Sequence, residues 1–279
     1  MRIEVSSDAV EYQKLVAEFL GRDALGHTVL LTILDNLISG ITVEPGHFLS
    51  VHDGEKVVGA AAKTASHGVL LGELPAGAVE AVADVLAEIA PDAPDIEAAD
   101  EDALAFAERW SALRGRRFEL DYHTRLYRLG ELSVLSAPGR ARRAGAADIE
   151  LCVQWMDAVR AEHGFGLPAQ GVQTRVAAGR IWLWEHDGHP VSLVAHHGNV
   201  VGWSRVGPVY TPHAERRKGY AGALTAHVSK MLRDKGSGVC LFTDLANPTS
   251  NRIYQNIGYE PVRDFVRYKF ISNSLPMDS

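Results

Sequence analysis

The chain reads as an α+β protein in two halves, each a series of strands and helices in a similar order. Three observations carry this reading. Residues 206–234 join a strand-like run, a basic loop with a glycine, and an amphipathic helix. An Asp-Gly pair joins two strand-like runs in each half, at Asp53-Gly54 and Asp187-Gly188. The chain closes with an apolar strand pattern from Val239, a short helix and a last strand pattern ending near Phe270.

In the first half, Val10–Leu20 and Thr28–Ile38 have the spacing of helices. Phe48–His52 and Lys56–Ala62 alternate as strands, and Asp53-Gly54-Glu55 between them is a hairpin signal. Val69–Leu71 reads as another strand, Ala76–Ile89 as a helix, and Phe118–Leu129 as a closing strand. Leu132–Arg143 reads as a linker, with Ser133, Ser136, Pro138, Gly139 and three arginines but few large apolar residues. We therefore expect domains at 1–129 and 130–279.

After the linker, Gly145–Asp148 precedes a capped amphipathic helix opening Ile149–Met156. Ile181–His186 and Pro190–His196 form the second hairpin pattern. The second half thus reads helix, hairpin, strand, helix, strand, helix, strand. Val206, Val209 and Tyr210 lie in a strand that Pro212 ends, because proline cannot donate to a ladder. Arg216-Arg217-Lys218-Gly219-Tyr220-Ala221 then leads into a helix whose Ala221, Leu224, Val228, Met231 and Leu232 share a face. Such a helix start is an anion site: its first amides have no helical partner, and its dipole adds positive charge. Gly219 permits close approach to the backbone, and Ala221 keeps the next turn small. Neither a P-loop nor a dinucleotide fingerprint is present, and no carboxylate set for magnesium is evident, which excludes a P-loop nucleotide hydrolase. Thr249 or Ser250 is placed to cap the helix through Arg252–Ile257, and Gly258 to stop it.

The loop spacing Arg-x-x-Gly-x-Ala resembles the pyrophosphate loop of the GNAT N-acetyltransferase superfamily. The order Asn-x-x-x-Asn-x-x-Tyr-x-x-x-Gly-Tyr over Asn247–Tyr259 resembles the end of that domain. The specific motifs cover residues 200–270. In outline the whole chain resembles tandem, bacterial predicted acetyltransferases. The resemblance implies two tandem GNAT-like domains, each a central mixed, mostly antiparallel sheet flanked by helices. The acetyl-CoA site would lie in the C-terminal domain, 130–279. The N-terminal domain, 1–129, would be degenerate and without cofactor, because Gly72-Glu73-Leu74-Pro75-Ala76-Gly77 replaces the basic loop.

The resemblance further implies an N-acetyltransferase that uses acetyl-CoA as co-substrate. It would move the acetyl group directly to a primary amine of a small molecule or peptide. Amides of residues 216–222 would hold the pyrophosphate, assigning Arg216, Arg217, Lys218, Gly219, Tyr220, Ala221 and Gly222 to the cofactor. Val209, Tyr210 and Thr211 map to the strand that pairs with pantetheine, and Asn247 and Asn251 to positions contacting pantetheine or phosphate. Asn247 is equally a turn residue before proline. Tyr254 is the catalytic candidate: a phenol with pKa near ~10 stays protonated and can donate to the leaving thiolate. The alternative for Tyr254 is core packing beside Ile253 and Ile257. Glu162 is the candidate base or amine contact, with a solvated helix position as its alternative, and His163 lies beside it. His196 and His197 point to opposite faces of a strand, so one could face the cleft but they make no natural metal pair. His213 is a loop residue, Ser204 lacks a base partner, and Trp155, Trp182, Trp184 and Trp203 are core or pocket walls. The reading from another class is a non-catalytic acyl-CoA-binding regulatory module.

Composition agrees with a globular protein: 279 residues, 46% hydrophobic and 23% charged. The formal charge of −7 argues against general binding to nucleic acid or membrane surfaces. No apolar run approaches the ~20 residues that span a bilayer, and the N-terminus lacks a signal peptide's apolar region. Cys152 and Cys240 form no disulfide framework or zinc site, so no metal is expected and a reducing cytoplasm is the simplest location. Nothing in the pattern excludes a homodimer.

Overall fold

The computed structural model describes residues 1–164 and 166–271, which fall into two compact units. The first takes Met1–Leu126, Asp244–Ala246 and the chain from Arg263; the second takes Tyr127–Thr243 and Asn247–Val262. The chain thus returns to the first unit near its end. It passes from the first unit to the second after Leu126, and returns to the first at Asp244–Ala246 and again from Arg263.

The elements of the first repeat are β1 (Arg2–Ser6), α1 (Ala9–Arg22), α2 (Thr28–Ile38), β2 (Gly46–Asp53), β3 (Lys56–Thr64), β4 (Val69–Leu71), α3 (Ala78–Ile89), β5 (Asp95–Ala98), α4 (Asp100–Arg114) and β6 (Arg117–Leu129). The second repeats that order: β7 (Arg140–Arg143), α5 (Ile149–His163), α6 (Ala169–Ala177), β8 (Ile181–His186), β9 (His189–Val200), β10 (Trp203–Tyr210), α7 (Tyr220–Asp234), β11 (Gly238–Asp244), α8 (Pro248–Ile257) and β12 (Tyr259–Ile271). The echo seen in the two hairpins therefore extends to every element.

In the first unit the strand order is β1-β2-β3-β4-β5-β12. Pairings are antiparallel except β4 with β5, and β12 joins β5 through Val266↔Ala98 to Lys269↔Asp95. Its core gathers Leu49, Leu86, Phe106 and Trp110, and Val266 of β12 completes it. Asp8 starts α1 by accepting from the amides of Val10 and Glu11, a side-chain cap worth about 1 kcal/mol.

In the second unit the order is β11-β10-β9-β8-β7, again with one parallel pair, β10 with β11. Alternation along β8 builds both layers. Ile181 and Leu183 pack with Cys152, Trp155 and Met156 of α5 and with Val172 and Val176 of α6. Trp182 and Trp184 face the other way, with Ala223, Leu224 and Val228 of α7 and Tyr254 and Ile257 of α8.

The linker expectation needs correction. Arg140–Arg143 form β7, held by the Arg140–Glu185, Arg142–Glu185 and Arg142–Asp148 pairs, each at 2.8 Å. Leu132, Leu135 and Ala137 before it pack on the α7 side of the sheet. The cap of α8 also differs: Asn247, not Thr249 or Ser250, accepts from the Ser250 amide at 3.0 Å, with Pro248 in the first turn. Among the described residues no helix is long and apolar enough to cross a membrane, and no group of His, Cys, Asp and Glu could hold a metal ion.

Candidate functional site

The site grows from a parting of two parallel strands. β10 and β11 pair from Trp203↔Gly238 to Val206↔Leu241 and no further, although both continue. On its other side β10 stays with β9 to Tyr210↔Leu193, through register shifts between Ser204 and Val209. Residues 207–210 therefore have one edge without a strand partner, where backbone groups can meet an extended ligand. Val209 and Tyr210 lie there.

The loop that follows is fixed from below by Ser192. Its hydroxyl donates to the Tyr210 carbonyl at 3.1 Å and meets the Thr211 hydroxyl at 2.9 Å. The Trp155 and Tyr210 rings pack with centroids 5.9 Å apart. Nothing local in the sequence marks Ser192, because its role depends on pairing β9 with β10.

Gly219 precedes α7 at φ +85°, a left-handed conformation that costs a residue with a Cβ about 1–2 kcal/mol. Arg217 also has positive φ, +65°. No side chain caps α7, and its first helical bond runs from Ala223 N to Gly219 O at 3.0 Å. The amides of Tyr220, Ala221 and Gly222 are therefore free of helical partners. Gly222 is buried where a Cβ would lie 2.9 Å from Leu135 Cδ1 and 3.4 Å from Ile253 Cγ2. The Tyr220 ring is buried beside His186, so it supports the turn from behind.

Charge in the loop is distributed unevenly. Arg216 pairs with Glu162 at 2.7 Å and donates from Nε to the Thr211 carbonyl at 2.9 Å. Lys218 pairs with Glu215 at 2.9 Å, which raises the Lys218 pKa. Arg217 is exposed and has no ion pair among the described residues. The structure thus brings together two residues that the sequence assigned to different tasks. Glu162, at the end of α5, places both carboxylate oxygens on the Arg216 guanidinium.

The asparagines have structural partners. Asn247 caps α8; Asn251 accepts from the Tyr127 hydroxyl at 2.9 Å and donates to the Asn247 carbonyl at 2.8 Å. Tyr254 is 9% exposed, its ring edge-on to Tyr259 with centroids 6.1 Å apart. Burial pushes its phenol up to about 12, and its hydroxyl has no hydrogen-bond partner among the described residues.

The first unit repeats the backbone device with the opposite charge. Gly77 precedes α3 at φ +77°, again with no side-chain cap. Here Glu80 sits in the first turn of α3, and Glu73 and Glu80 lie near enough to Asp102 to repel its carboxylate. Burial and repulsion from Glu101, Glu73 and Glu80 hold the Asp102 carboxyl above its usual range.

Residues 187–268, from the β8–β9 turn into β12, match the model of the family described as FR47-like protein. Three solved structures are similar over nearly their full lengths. A Drosophila protein has a TM-score of 0.69 at 13% identity, covering 98% of this chain and 99% of its own. A tandem GNAT protein from the clavulanic acid biosynthesis pathway has a TM-score of 0.58 at 13% identity, covering 99% and 100%. A GNAT-family acetyltransferase from Colwellia psychrerythraea has a TM-score of 0.58 at 12% identity, covering 97% and 100%. The fold is a tandem GNAT fold. At these identities the likeness establishes architecture, and the chemistry rests on the residues of the site. No curated protein sequence matches the chain. Within the GNAT fold, the uncapped α7 start and the parted β10–β11 edge fall inside the region matched by the family model.

Proposed function

We propose that the chain is an acetyl-CoA-dependent N-acetyltransferase whose cofactor site lies in its second unit and whose acceptor is a primary amine of a small molecule or peptide. One observation carries the reading: the open edge of β10 runs directly into an uncapped helix start behind a left-handed glycine. The two features suit two parts of one ligand. Pantetheine carries amides that pair with a free strand edge, and a pyrophosphate suits free amides at a helix N-terminus. The donor set fits: Arg217, which has no ion pair among the described residues, and the amides of Tyr220, Ala221 and Gly222 would hold the anion, while Arg216 and Lys218 add charge already balanced by Glu162 and Glu215.

When bound, acetyl-CoA supplies the activated acyl group. The protein supplies position and electrostatics. Backbone groups of Val209, Tyr210 and Thr211 would hold the pantetheine chain. Tyr254 would donate a hydrogen bond to the leaving sulfur, and the proton that the thiol gains would come from the amine as it is acylated. Full transfer from a phenol near 12 to a thiolate whose conjugate acid has pKa ~8.5 would be uphill by roughly 5 kcal/mol, so the Tyr254 contribution is a donated hydrogen bond. Glu162 anchors Arg216 and acts on the amine only when that pair opens. Asn251 sets the angle of α8, and so of Tyr254, through Tyr127. The first unit carries no cofactor of its own, since acidic Glu80 sits in the first turn of its equivalent helix. The chain acts in the cytoplasm, without nucleic acid or membrane partners.

The experiment is thiol release from acetyl-CoA measured with a panel of amines. Acceleration by at least one amine class supports the proposal. Tight acetyl-CoA binding with no thiol release from any amine would instead mark a non-catalytic acyl-CoA-binding module.

A further inference from the structure

At the far end of α7 the second unit holds a cleft of about 370 Å³ lined by Arg143, Arg180, His196, His197, Asn199 and Lys235, with no carboxylate in its wall. The helix has 15 residues, so at ~1.5 Å per residue this end lies about 22 Å along the axis from the proposed cofactor loop. The wall comes from five segments: β7, the turn after α6, β9, β10, and the end of α7 with the turn that follows it.

His196, 7% exposed, lines the cleft. Its Nδ1 lies 2.8 Å from the His197 carbonyl oxygen, which can only accept, so Nδ1 carries the proton. Its Nε2 is buried and has no hydrogen-bond partner. Arg180 lies over Gly198, where a Cβ would come 2.9 Å from its Nη2, so the glycine makes room for the guanidinium. Behind them His197 accepts from Arg175 and Arg205 at 3.3 Å. Burial, then the charges of Arg205 and Arg180, push Arg175 down to about 9. Among the described residues Arg143, Arg175, Arg180 and Lys235 have no carboxylate partner.

Complementing helix ends does not account for this. The C-termini of α6 and α7 each bring about −0.5 charge. Three full cations line the cleft and Arg175 stands behind them, leaving a surplus of positive charge and a buried, unpartnered ring nitrogen.

We infer that this cleft is a second anion site, distinct from the acetyl-CoA site, that takes the phosphate group of a small ligand or free inorganic phosphate. Arg180 and Lys235 supply the charge, and His196 supplies a hydrogen bond from Nε2 once that atom is protonated. Burial holds His196 below its usual pKa, the His197 carbonyl opposes this, and Arg180, Arg175 and Lys235 lower it further; His197 is held lower still. A bound oxyanion reverses these charges, so His196 takes up a proton as the ligand binds.

The test uses the full chain and does not depend on acetyl transfer. The His196 ring is titrated by NMR at constant ionic strength in chloride and in sulfate, whose charge is fixed across the range. We expect its pKa to rise by about one unit or more in sulfate, equivalent to at least tenfold tighter sulfate binding to the protonated form. Calorimetry should show inorganic phosphate binding more tightly than acetate. A phosphate monoester that binds more tightly than inorganic phosphate identifies a phosphorylated ligand, and the reverse order identifies free phosphate. Arg180→Gln and Lys235→Gln should each weaken phosphate at least tenfold and leave acetyl-CoA affinity unchanged. An unchanged His196 titration in sulfate, phosphate binding indifferent to both substitutions, or displacement of acetyl-CoA by phosphate at matched ionic strength would each overturn the inference.

Discussion

Tyr254→Phe separates the chemical from the packing role of this ring. The substitution keeps the aromatic body among Ile257, Tyr259 and Leu224 and removes an oxygen without a hydrogen-bond partner among the described residues. Folding should therefore change little, by less than about 1 kcal/mol, because no hydrogen bond is lost. For a protein of this size that is a Tm shift of at most roughly 2–4 °C. The rate should respond differently. Donor catalysis is worth roughly 10²–10⁴, and a phenol near 12 places Tyr254 at the lower end. We expect kcat to fall about 10²-fold, near 2.7 kcal/mol, with acetyl-CoA affinity within about twofold of the parent. That pattern marks an interaction made mainly in the transition state. The assay is steady-state thiol release with an accepted amine, beside calorimetry and thermal melts. An unchanged kcat would refute a donor role. A fall in Tm by 10 °C or more would show that the hydroxyl has a structural partner.

Other perturbations follow from the same geometry. Glu162→Gln should tighten acetyl-CoA binding a few-fold, because it unmasks the Arg216 charge that Glu162 balances in a half-exposed ion pair worth up to about 1 kcal/mol; lost kcat with a shifted pH profile would make Glu162 the base instead. Asp148→Asn should cost about 1.5–3 kcal/mol at neutral pH, because Arg142 and the Gly145 amide hold the carboxylate. The Asp148 pKa is lowered on folding, first by Arg142, so this stability is present above the unfolded carboxylate range near ~3.9 and is lost as pH falls through the lowered value. Melts of parent and variant should converge in acid, and a constant gap down to the lowest pH would contradict the pairing. Acetyl-CoA should bind with one equivalent per chain if the acidic helix start of the first unit binds none; a second equivalent of similar affinity would refute that.

Legibility in the sequence followed the range of the forces involved. The α7 start was readable because glycine, the basic run and the apolar stripe are all local. So were α2, β4 and β8, whose limits match the pattern. β5 escaped because it is four residues long and carries Asp95 and Glu97. α4 buries Ala103, Phe106, Ala107 and Trp110 at helical spacing, but its charged opening masks that stripe. α6 buries only Val172 and Val176, too few to mark a helix. β7 reads as a polar linker because Glu185 and Asp148, which balance its arginines, are distant in sequence. Among site residues, the glycine and the basic run announced themselves. The Glu162–Arg216 pair, the Ser192 support and the basic cleft did not, since each joins segments that only folding brings together.

The most direct measurement is calorimetric titration of acetyl-CoA into the parent chain and the folded Gly219→Val variant. The side chain would stand in a φ +85° turn, at ordinary contact distance from Ala137, in the path of the pyrophosphate. The account predicts one equivalent bound by the parent and at least a hundredfold weaker binding by the variant, with melting temperatures within a few degrees. Equal affinity in both proteins, or no binding to the parent, would contradict it.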